Sequence, residues 1–348
     1  MKPCQHSQAR HQLRSLILTV TGALALAAGL AAAAPADSAV TIKLATAAPD
    51  RSVWVKALRD AADEAKAATG GRVQFKIYPG GVQGDEQTVL RKMRVGQLQG
   101  AAFMGQGIRL VCPDATVLQL PLMLRSEEEF QQSLRDLDAN LRAAARGNQV
   151  EILCWTRQGF AYMYSKKPVA DLDALRRAKP WLVPDDLFSE TLFRAAAVSG
   201  ISIPVSDVLT GLQSGLLDTV YAPPLVMVTM QWHTRIAYKL DFGLAYSIGA
   251  LVVTGETWNR VAAEDRTKIQ ETFTRRLEDL NLLVHKQNEE ADAVMGKQVQ
   301  TLKMPEATVA EFRRLNEIVV HQLVGKAFSE AILKQLQESL ARQRDPKP

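Results

Sequence analysis

Hydrophobic positions in the first part of the chain alternate between strand-like and helix-like spacing. Residues 40–45 alternate apolar and polar side chains, as a strand with one buried face does. Residues 53–68 then place apolar side chains at three- and four-residue steps, the spacing of an amphipathic helix. A second strand over 73–77, a second helix over 85–95 and a third strand over 101–104 follow. Strands joined by helical crossovers predict a parallel sheet covered by helices, so we predict an α/β fold.

The same two spacings continue through the second half of the chain. Apolar runs predict strands at 151–155, 160–165, 181–183, 219–221 and 250–254. Amphipathic stretches between them predict helices over 187–197, 206–214 and 223–231. The 348 residues of the chain are enough for two domains, each with a core of its own.

One apolar stripe runs through residues 264–302 at three- and four-residue steps, and neither Gly nor Pro interrupts it before Gly296. This spacing predicts a single helix, which at 1.5 Å per residue would be roughly 60 Å long. A helix of that length could lie along two lobes at once. The alternative is a pair of helices broken near Gly296. Pro305 ends the run, and two short amphipathic helices are predicted to complete the chain.

The first residues have a different composition. Three basic residues precede an uncharged apolar stretch over 16–34, and small residues follow it. This arrangement predicts a secretory signal peptide over residues 1–39, cleaved at about 34–39, and hence a periplasmic protein. The alternative is a membrane anchor, because about 19 apolar residues could just span a bilayer. No Cys follows the apolar run, which argues against a lipid anchor.

The net charge gives no indication of nucleic-acid binding. The formal charge of +5 includes three positive charges in residues 1–36, so removing them leaves about +2. No basic run is interleaved with aromatic residues, and we therefore expect no nucleic-acid partner. Cys112 and Cys154 fall in strand-like runs of an exported chain. They could form a disulfide or remain two buried thiols, and the sequence does not decide between these alternatives.

Sequence motifs of catalysis or metal binding are missing. The three His residues after the predicted signal peptide, His233, His285 and His321, match no ligand spacing. Ser214 lacks the first glycine of a nucleophile elbow. The Gly-Gln-Gly run at 105–107 lacks the third glycine of a dinucleotide-binding loop. We therefore expect no enzyme, metal or cofactor, although scattered catalytic residues would escape a search for motifs.

Several short motifs occur in a characteristic order. They are GGRVQFKIYPG at 70–80, GDE at 84–86, GQL at 96–98, LPLMLR at 120–125, GF at 159–160, KPV at 167–169, IPVS at 203–206 and GLQSGLLD at 211–218. Each is weak alone. Their order, their spacing and the signal peptide together resemble the DctP-type substrate-binding proteins of TRAP transporters, over nearly all of residues 40–335.

The resemblance implies a two-lobed periplasmic binding protein fold with parallel or mixed sheets, two crossing strands and a long helix spanning both lobes. The first lobe would comprise about 40–157 plus 248–286, and the second about 158–247 plus 287–335. Residues 336–348 would form a C-terminal tail. The resemblance also implies a small-molecule ligand held between the lobes by hinge closure, and a TRAP-type membrane permease as partner. A monomer and a homodimer both remain open.

Two departures from the family pattern concern the ligand. Acid-binding members of the family carry an Arg after the Gly-Phe pair, where this chain has Ala161. A second Arg precedes their Val-Pro pair and clamps the ligand carboxylate, where this chain has Leu182. Because an alkyl side chain cannot replace a two-pronged guanidinium contact, we expect a ligand other than a simple carboxylate, in a more apolar or aromatic pocket.

The residues expected to line that pocket share either a place near a family ligand position or an aromatic side chain. They are Trp54, Gln106, Trp155, Ala161, Tyr162, Trp181, Leu182, Tyr221 and Trp232. Each has core packing as its alternative, and Trp232 is expected beside the pocket. The receptor hypothesis competes with two others. One is a periplasmic carrier of a lipid or other hydrophobic molecule with no link to a sodium-driven permease, and the other is a periplasmic enzyme.

Overall fold

The computed structural model describes residues 39–345, so residues 1–38 of the predicted signal peptide lie outside the described residues. The strands are β1 (Val40–Thr46), β2 (Val73–Tyr78), β3 (Gly100–Phe103), β4 (Val150–Ser165), β5 (Trp181–Leu182), β6 (Ile201–Ser202), β7 (Thr219–Ala222), β8 (Tyr238–Leu240), β9 (Ala245–Thr254) and β10 (Gln300–Leu302). Eight of them form one mixed sheet in the order β10-β8-β4-β9-β3-β1-β2, with β7 also paired to β4, while β5 and β6 pair separately.

Helices cover the sheet and connect its strands. They are α1 (Val53–Ala68), α2 (Glu86–Arg94), α3 (Gly105–Val111), α4 (Glu127–Gly147), α5 (Leu172–Arg177), α6 (Leu187–Ala195), α7 (Val208–Ser214), α8 (Pro224–Thr229), α9 (Gly255–Arg260), α10 (Ala263–Met295), α11 (Glu306–Leu323) and α12 (Glu330–Arg344). Short 3₁₀ turns lie at Pro113–Gln119, Val205–Asp207 and Trp232–Arg235. The predicted α/β class and the two amphipathic helices at the end of the chain are confirmed.

Two long strands, β4 and β9, pass between the lobes. Residues 150–161 of β4 pair antiparallel with β9, which continues the sheet through β3 to β1 and β2. Residues 162–165 of β4 pair with β7, and the last two also pair with β8. The strand thus belongs to the sheets of both lobes, which confirms the two-lobed fold with crossing strands.

The sequence predicts two strands where the structure has the single strand β4. Its register shifts between Ile152 and Cys154 and again between Arg157 and Gly159, and Gly159 has a φ of +94°. Such bulges bend and twist a strand without ending it. A glycine at positive φ therefore marks a bend between the lobes here and not the end of a strand.

The side chains of the sheet of the first lobe alternate between two apolar layers, as the period of two requires. Leu251 and Val253 face the layer formed with α1 and α10, whereas Val252 between them faces the layer formed with α3, α4 and α12. On β4, Leu153 faces the layer formed with α1 and α10, and Ile152 faces the layer formed with α3, α4 and α12. Both faces of this sheet are therefore covered. Strands with two buried faces have continuous apolar runs, such as those that predicted strands at 151–155 and 250–254.

The long helix α10 has 33 residues, or about 50 Å at 1.5 Å per residue. It is a single helix, as predicted, but it ends at Met295 and not near 302, because the chain turns at Gly296 and then forms β10. Asn281 and Asn288 of this helix bind the bent part of β4. The amide Nδ2 of Asn281 donates to the Trp155 carbonyl, and that of Asn288 donates to the Gln158 carbonyl at 2.8 Å.

Three further stretches differ from expectation. The run 110–112 was expected as a strand, but Cys112 ends the helix α3, because three apolar residues alone cannot distinguish strand from helix. Helix α4 was not anticipated, although Ser126 followed by Glu129 is a capping-box signature. The expected tail at 336–348 is helical to Arg344, since apolar side chains at 332, 333, 336 and 340 face the core.

Cys112 and Cys154 are both free and both buried. Burial raises the pKa of Cys112 to about 11 and that of Cys154 to about 12. Of the two alternatives left open by the sequence, the structure has the pair of buried thiols. No helix within residues 39–345 is both long and apolar enough to cross a membrane.

Candidate functional site

A cavity of about 250 Å³ opens between the lobes, beside the second half of β4. One wall consists of α3, the 3₁₀ turn Pro113–Gln119 and the start of β9, and the other of the β5–α6 connection, α6 and β7. The lining residues are Gly105, Gln106, Arg109, Gln119, Pro121, Ala161, Met163, Leu175, Val183, Pro184, Asp185, Asp186, Phe188, Ser189, Leu192, Phe193, Ala196, Tyr221, Leu244, Ala245, Tyr246, Ser247 and Phe312. Most of them are apolar, as expected of a small-molecule pocket.

Three of the nine residues expected at the ligand line this cavity. They are Gln106 in the first turn of α3, Ala161 on β4 and Tyr221 on β7. Gln106 thus follows the third strand, β3, by three residues. The structure thus brings together residues more than a hundred positions apart, at the edge where ligands bind in open α/β sheets.

Two expected residues lie directly behind the cavity wall. The ring of Trp181 lies 5.4 Å from that of Tyr221 and 5.3 Å from that of Trp232, measured between centroids. Trp181 and Trp232 are both buried in the core of the second lobe, which supports the expectation that Trp232 lies beside the pocket. Leu182 immediately precedes the lining residues Val183 and Pro184 without lining the cavity itself.

The remaining aromatic candidates lie away from the lining. Trp54 packs against the apolar layer between α1 and α10. Trp155 donates its indole N–H to Asp138 on α4 at 2.6 Å. Tyr162 lies beneath the ammonium group of Lys239, 4.0 Å from its ring centroid. Each of these side chains has a packing role in this structure, and a ligand contact for them stays a prediction.

A chain of hydrogen bonds occupies the polar groups of the second-lobe wall. Asp186 caps the N-terminus of α6 and accepts from the hydroxyl of Ser189. The Ser189 hydroxyl in turn lies 2.8 Å from the Tyr221 hydroxyl. Because the proton of Ser189 goes to the carboxylate, Ser189 accepts the proton of Tyr221. Burial raises the pKa of Tyr221, and the charge of Asp186 raises it further. The phenol stays neutral and offers the cavity no free proton.

Hydrogen-bond donors facing the cavity come from the first-lobe wall. The side-chain amide nitrogen of Gln106 is buried and has no hydrogen-bond partner. An unpaired donor of this kind is costly unless a ligand or water satisfies it. Arg109, one turn later on α3, donates to the carbonyl of Asp185 at 3.5 Å across the cavity mouth. Asp185 has a φ of +58°, an uncommon conformation outside glycine, and such strain often occurs at functional sites.

Sequence reasoning missed Arg109, Asp185 and Asp186. Of the described residues that line the cavity, Arg109 is the one with a positive side chain, whereas Asp185 and Asp186 are both acidic. The formal charge of the lining is thus one positive minus two negative, or −1. The Pro184-Asp-Asp186 run before a helix was a readable helix-start signal. Nothing in the sequence showed that it would face Arg109.

Tyr246 lines the cavity, and contacts with other residues of the core fix the position of its ring. It stacks on Phe130 with 3.6 Å between centroids and meets the edge of Phe160 at 5.1 Å. Its hydroxyl donates to Glu127 at 2.7 Å, and Glu127 pairs with the buried Arg157. Burial and the negative charge of Glu127 raise the pKa of Tyr246. The ring is therefore a fixed apolar surface of the wall.

Within residues 39–345, no group of three or more His, Cys, Asp and Glu side chains is arranged to hold a metal ion. The arrangement in the cavity can bind by apolar contact and a few hydrogen bonds. Its one triad-like set, Asp186, Ser189 and Tyr221, lacks a base such as His that could activate the serine.

Comparison with known proteins gives one consistent family. The family model of the bacterial extracellular solute-binding proteins, family 7 (DctP), matches residues 44–327. A curated C4-dicarboxylate-binding periplasmic protein of Rhodobacter capsulatus is 22% identical over 308 residues, which are 88% of this chain and 92% of that protein.

Solved structures show the same fold. A TRAP periplasmic solute-binding protein of Ochrobactrum anthropi, with its C-terminus bound in the ligand-binding pocket, matches with a TM-score of 0.79 at 18% identity. That match covers 89% of this chain and 98% of the other. An extracytoplasmic solute receptor of Bordetella pertussis that binds pyroglutamic acid matches with a TM-score of 0.76 at 17% identity, over 87% of this chain and all of the other.

Proposed function

This chain belongs to family 7 of the bacterial extracellular solute-binding proteins, and we propose that it captures a small, non-carboxylate, mainly apolar or aromatic ligand for a TRAP-type permease. The receptor class follows from the family. The ligand class goes beyond it, since the relatives compared above are described as binding a C4-dicarboxylate and pyroglutamic acid, which are acids.

The observation that carries the ligand proposal is the charge of the cavity wall. An anionic ligand would meet one guanidinium and two carboxylates, and Arg109 already donates to the Asp185 carbonyl. Family members that bind acids are expected to have an Arg at the position of Ala161, which lines this cavity with a methyl group. A buried carboxylate needs a well-placed positive partner, because its desolvation costs several kcal/mol in practice.

The apolar side chains of the wall suit a different ligand. Met163, Phe193 and Tyr221 belong to the apolar clusters of the second lobe, whereas Tyr246 packs in the apolar core of the first lobe. A flat apolar molecule between these side chains would therefore contact both lobes. Burial of apolar surface gives about 25 cal/mol per Å² before binding costs. Because contacts on both lobes exist together only in the closed form, the ligand stabilises closure. The closed form is then the one presented to the permease.

The charge preference can be tested with a fragment panel in three size-matched groups, neutral, carboxylate and ammonium. The protein carries ¹³C-labelled methionine methyl groups, and Met163 in the lining is the reporter. Met93 is buried in the core and not in the lining, which makes it the matched control. Neutral aromatic fragments should shift the Met163 resonance and leave that of Met93 unchanged. Hits mainly among carboxylates, or no hits in any group, would contradict the proposed ligand class.

The carrier of a lipid is the less favoured alternative. A cavity of about 250 Å³ lies below the roughly 300–1,000 Å³ of ordinary ligand pockets, which leaves little room for a long acyl chain. The family consists of solute-binding receptors, which agrees with a protein that is not an enzyme. We further propose a periplasmic location, reached through the signal peptide predicted over residues 1–39.

A further inference from the structure

Helix α3 carries Gln106 and Arg109 into the cavity wall, although its own sequence does little to hold its first turn. The helix has seven residues, and its N-cap residue Met104 makes no side-chain capping bond. Gly105 and Gly107 stand in the first turn, and glycine adds backbone freedom there. The first N–H groups of any helix lack partners within the helix. Something outside α3 has to bind them.

Glu86, the first residue of α2, supplies those partners. One carboxylate oxygen of Glu86 accepts the N–H of Met104 at 2.6 Å, and the other accepts the N–H of Gly107 at 2.6 Å. Hydrogen bonds to a charged acceptor are the stronger class, and the helix dipole of α3 adds to them. Burial raises the pKa of Glu86 and the nearby Asp85 raises it further, while the two N–H bonds act in the opposite direction.

Glu86 is itself held in place. Asp85 caps α2 by accepting the N–H of Thr88 at 2.7 Å, which fixes the turn that bears Glu86. On the other side, a Cβ added at Gly107 would lie 2.4 Å from the Phe103 ring, so α3 rests closely on the end of β3. The carboxylate of Glu86 therefore joins α2 to the start of α3 and to the end of β3 through two short hydrogen bonds.

We infer that Glu86 is a positioning residue of the ligand site, which holds α3 so that Gln106 and Arg109 face the cavity. Glu86 does not line the cavity. The inference rests on the proposed function only in taking the cavity as the ligand site. Its role is to fix the orientation of the donors of the first-lobe wall before any ligand arrives, in the manner of a preorganised site.

Amide hydrogen exchange of the ligand-free protein tests the contact directly. In Glu86→Ala, the amides of Met104 and Gly107 should exchange roughly tenfold faster or more, as loss of a bond to a charged group implies. In Glu86→Gln, a single acceptor oxygen remains, so one of the two amides should keep its protection. The amide of Cys112, bonded to Ile108 at 2.7 Å, reports the far end of α3 and should not change.

Asp85→Asn is the matched control, because it removes the neighbouring carboxylate and leaves Glu86 in place. Asn keeps one acceptor oxygen for the Thr88 amide, so exchange at Met104 and Gly107 should stay as it is in the wild-type protein. Benzamide, followed through the methyl resonance of Met163, serves as the ligand probe. Its affinity should fall about tenfold in Glu86→Ala and stay unchanged in Asp85→Asn.

Unchanged exchange at Met104 and Gly107 in Glu86→Ala would overturn the inference. So would equal loss of protection at Cys112, which would mean that α3 unfolds as a whole, or an equal effect of Asp85→Asn. If benzamide does not shift the Met163 resonance of the wild-type protein, that result counts against the proposed ligand class. The exchange measurements would then still decide the role of Glu86.

Discussion

Replacing Gln106 with leucine should stabilise the ligand-free protein and weaken ligand binding. The amide nitrogen of Gln106 is buried without a partner at the cavity wall. Leucine removes that donor, adds apolar surface next to an apolar lining, and has nearly the same helix propensity as glutamine. The substitution therefore tests the effect of the unpaired donor while leaving the tendency of α3 to form a helix nearly unchanged.

The size of the effect follows from the cost of an unsatisfied buried group, about 1–3 kcal/mol. The free energy of unfolding should rise by about that amount. A chain of this length shifts its melting temperature by about 2 °C per kcal/mol, so the midpoint should rise by about 2–6 °C. Residues that serve binding commonly lower the stability of the ligand-free protein, as we expect of Gln106.

Calorimetry of the ligand-free variants measures the midpoint. Gln119→Leu is the control, since Gln119 lines the same cavity without a buried unpaired amide nitrogen, and it should change the midpoint little. Benzamide binding should weaken in Gln106→Leu, because a bond from the amide to the probe is lost. A midpoint that falls in Gln106→Leu would refute the reasoning, since it would show that the amide has a stabilising partner in the folded protein.

Two further predictions concern the fold. Gly159→Ala should destabilise the protein by about 1–3 kcal/mol, because the residue has a φ of +94° and its new Cβ would lie 3.0 Å from Asn288. Gly215→Ala, at φ +79° with open space around it, should cost less; equal losses of unfolding free energy would exclude a role for Asn288. Asp265→Asn should remove about 1.5–3 kcal/mol, since the buried carboxylate accepts two bonds from Arg72 at 2.8 and 2.6 Å. These bonds lower the pKa of Asp265, so the stability that they contribute is present above the unfolded pKa and is lost as pH falls through the folded pKa. The unfolding free energies of the wild-type protein and Asp265→Asn, measured from neutral to acid pH, should therefore converge. Parallel curves would contradict the assignment.

Local spacing in the sequence was enough for most elements. The apolar stripe over 264–302 predicted one long helix, and alternation predicted the strands of the first lobe. The end of α10 at Met295 and the continuity of β4 could not be read in the same way. Both depend on what a glycine does in context, since Gly296 ends a helix whereas Gly159 only bends a strand.

The site was harder to predict than the fold. Gln106, Ala161 and Tyr221 were anticipated and line the cavity, whereas Trp54, Trp155 and Tyr162 lie outside its lining. An aromatic ring buries a similar area in a core or in a cavity wall, so its presence in the sequence does not distinguish the two. The position of Arg109 opposite Asp185 carried no sequence signal at all.

The sequence by itself determined the class of fold, the long helix and the family pattern, because these depend on the spacing of side chains along single elements. Only the tertiary structure decided which residues face the cavity and what charge they bring to it. Gln106, Tyr221 and Phe312 belong to different elements and meet only when the lobes form. Whether a buried amide is paired or a guanidinium is balanced by carboxylates depends on such distant neighbours, and spacing along the chain does not record them.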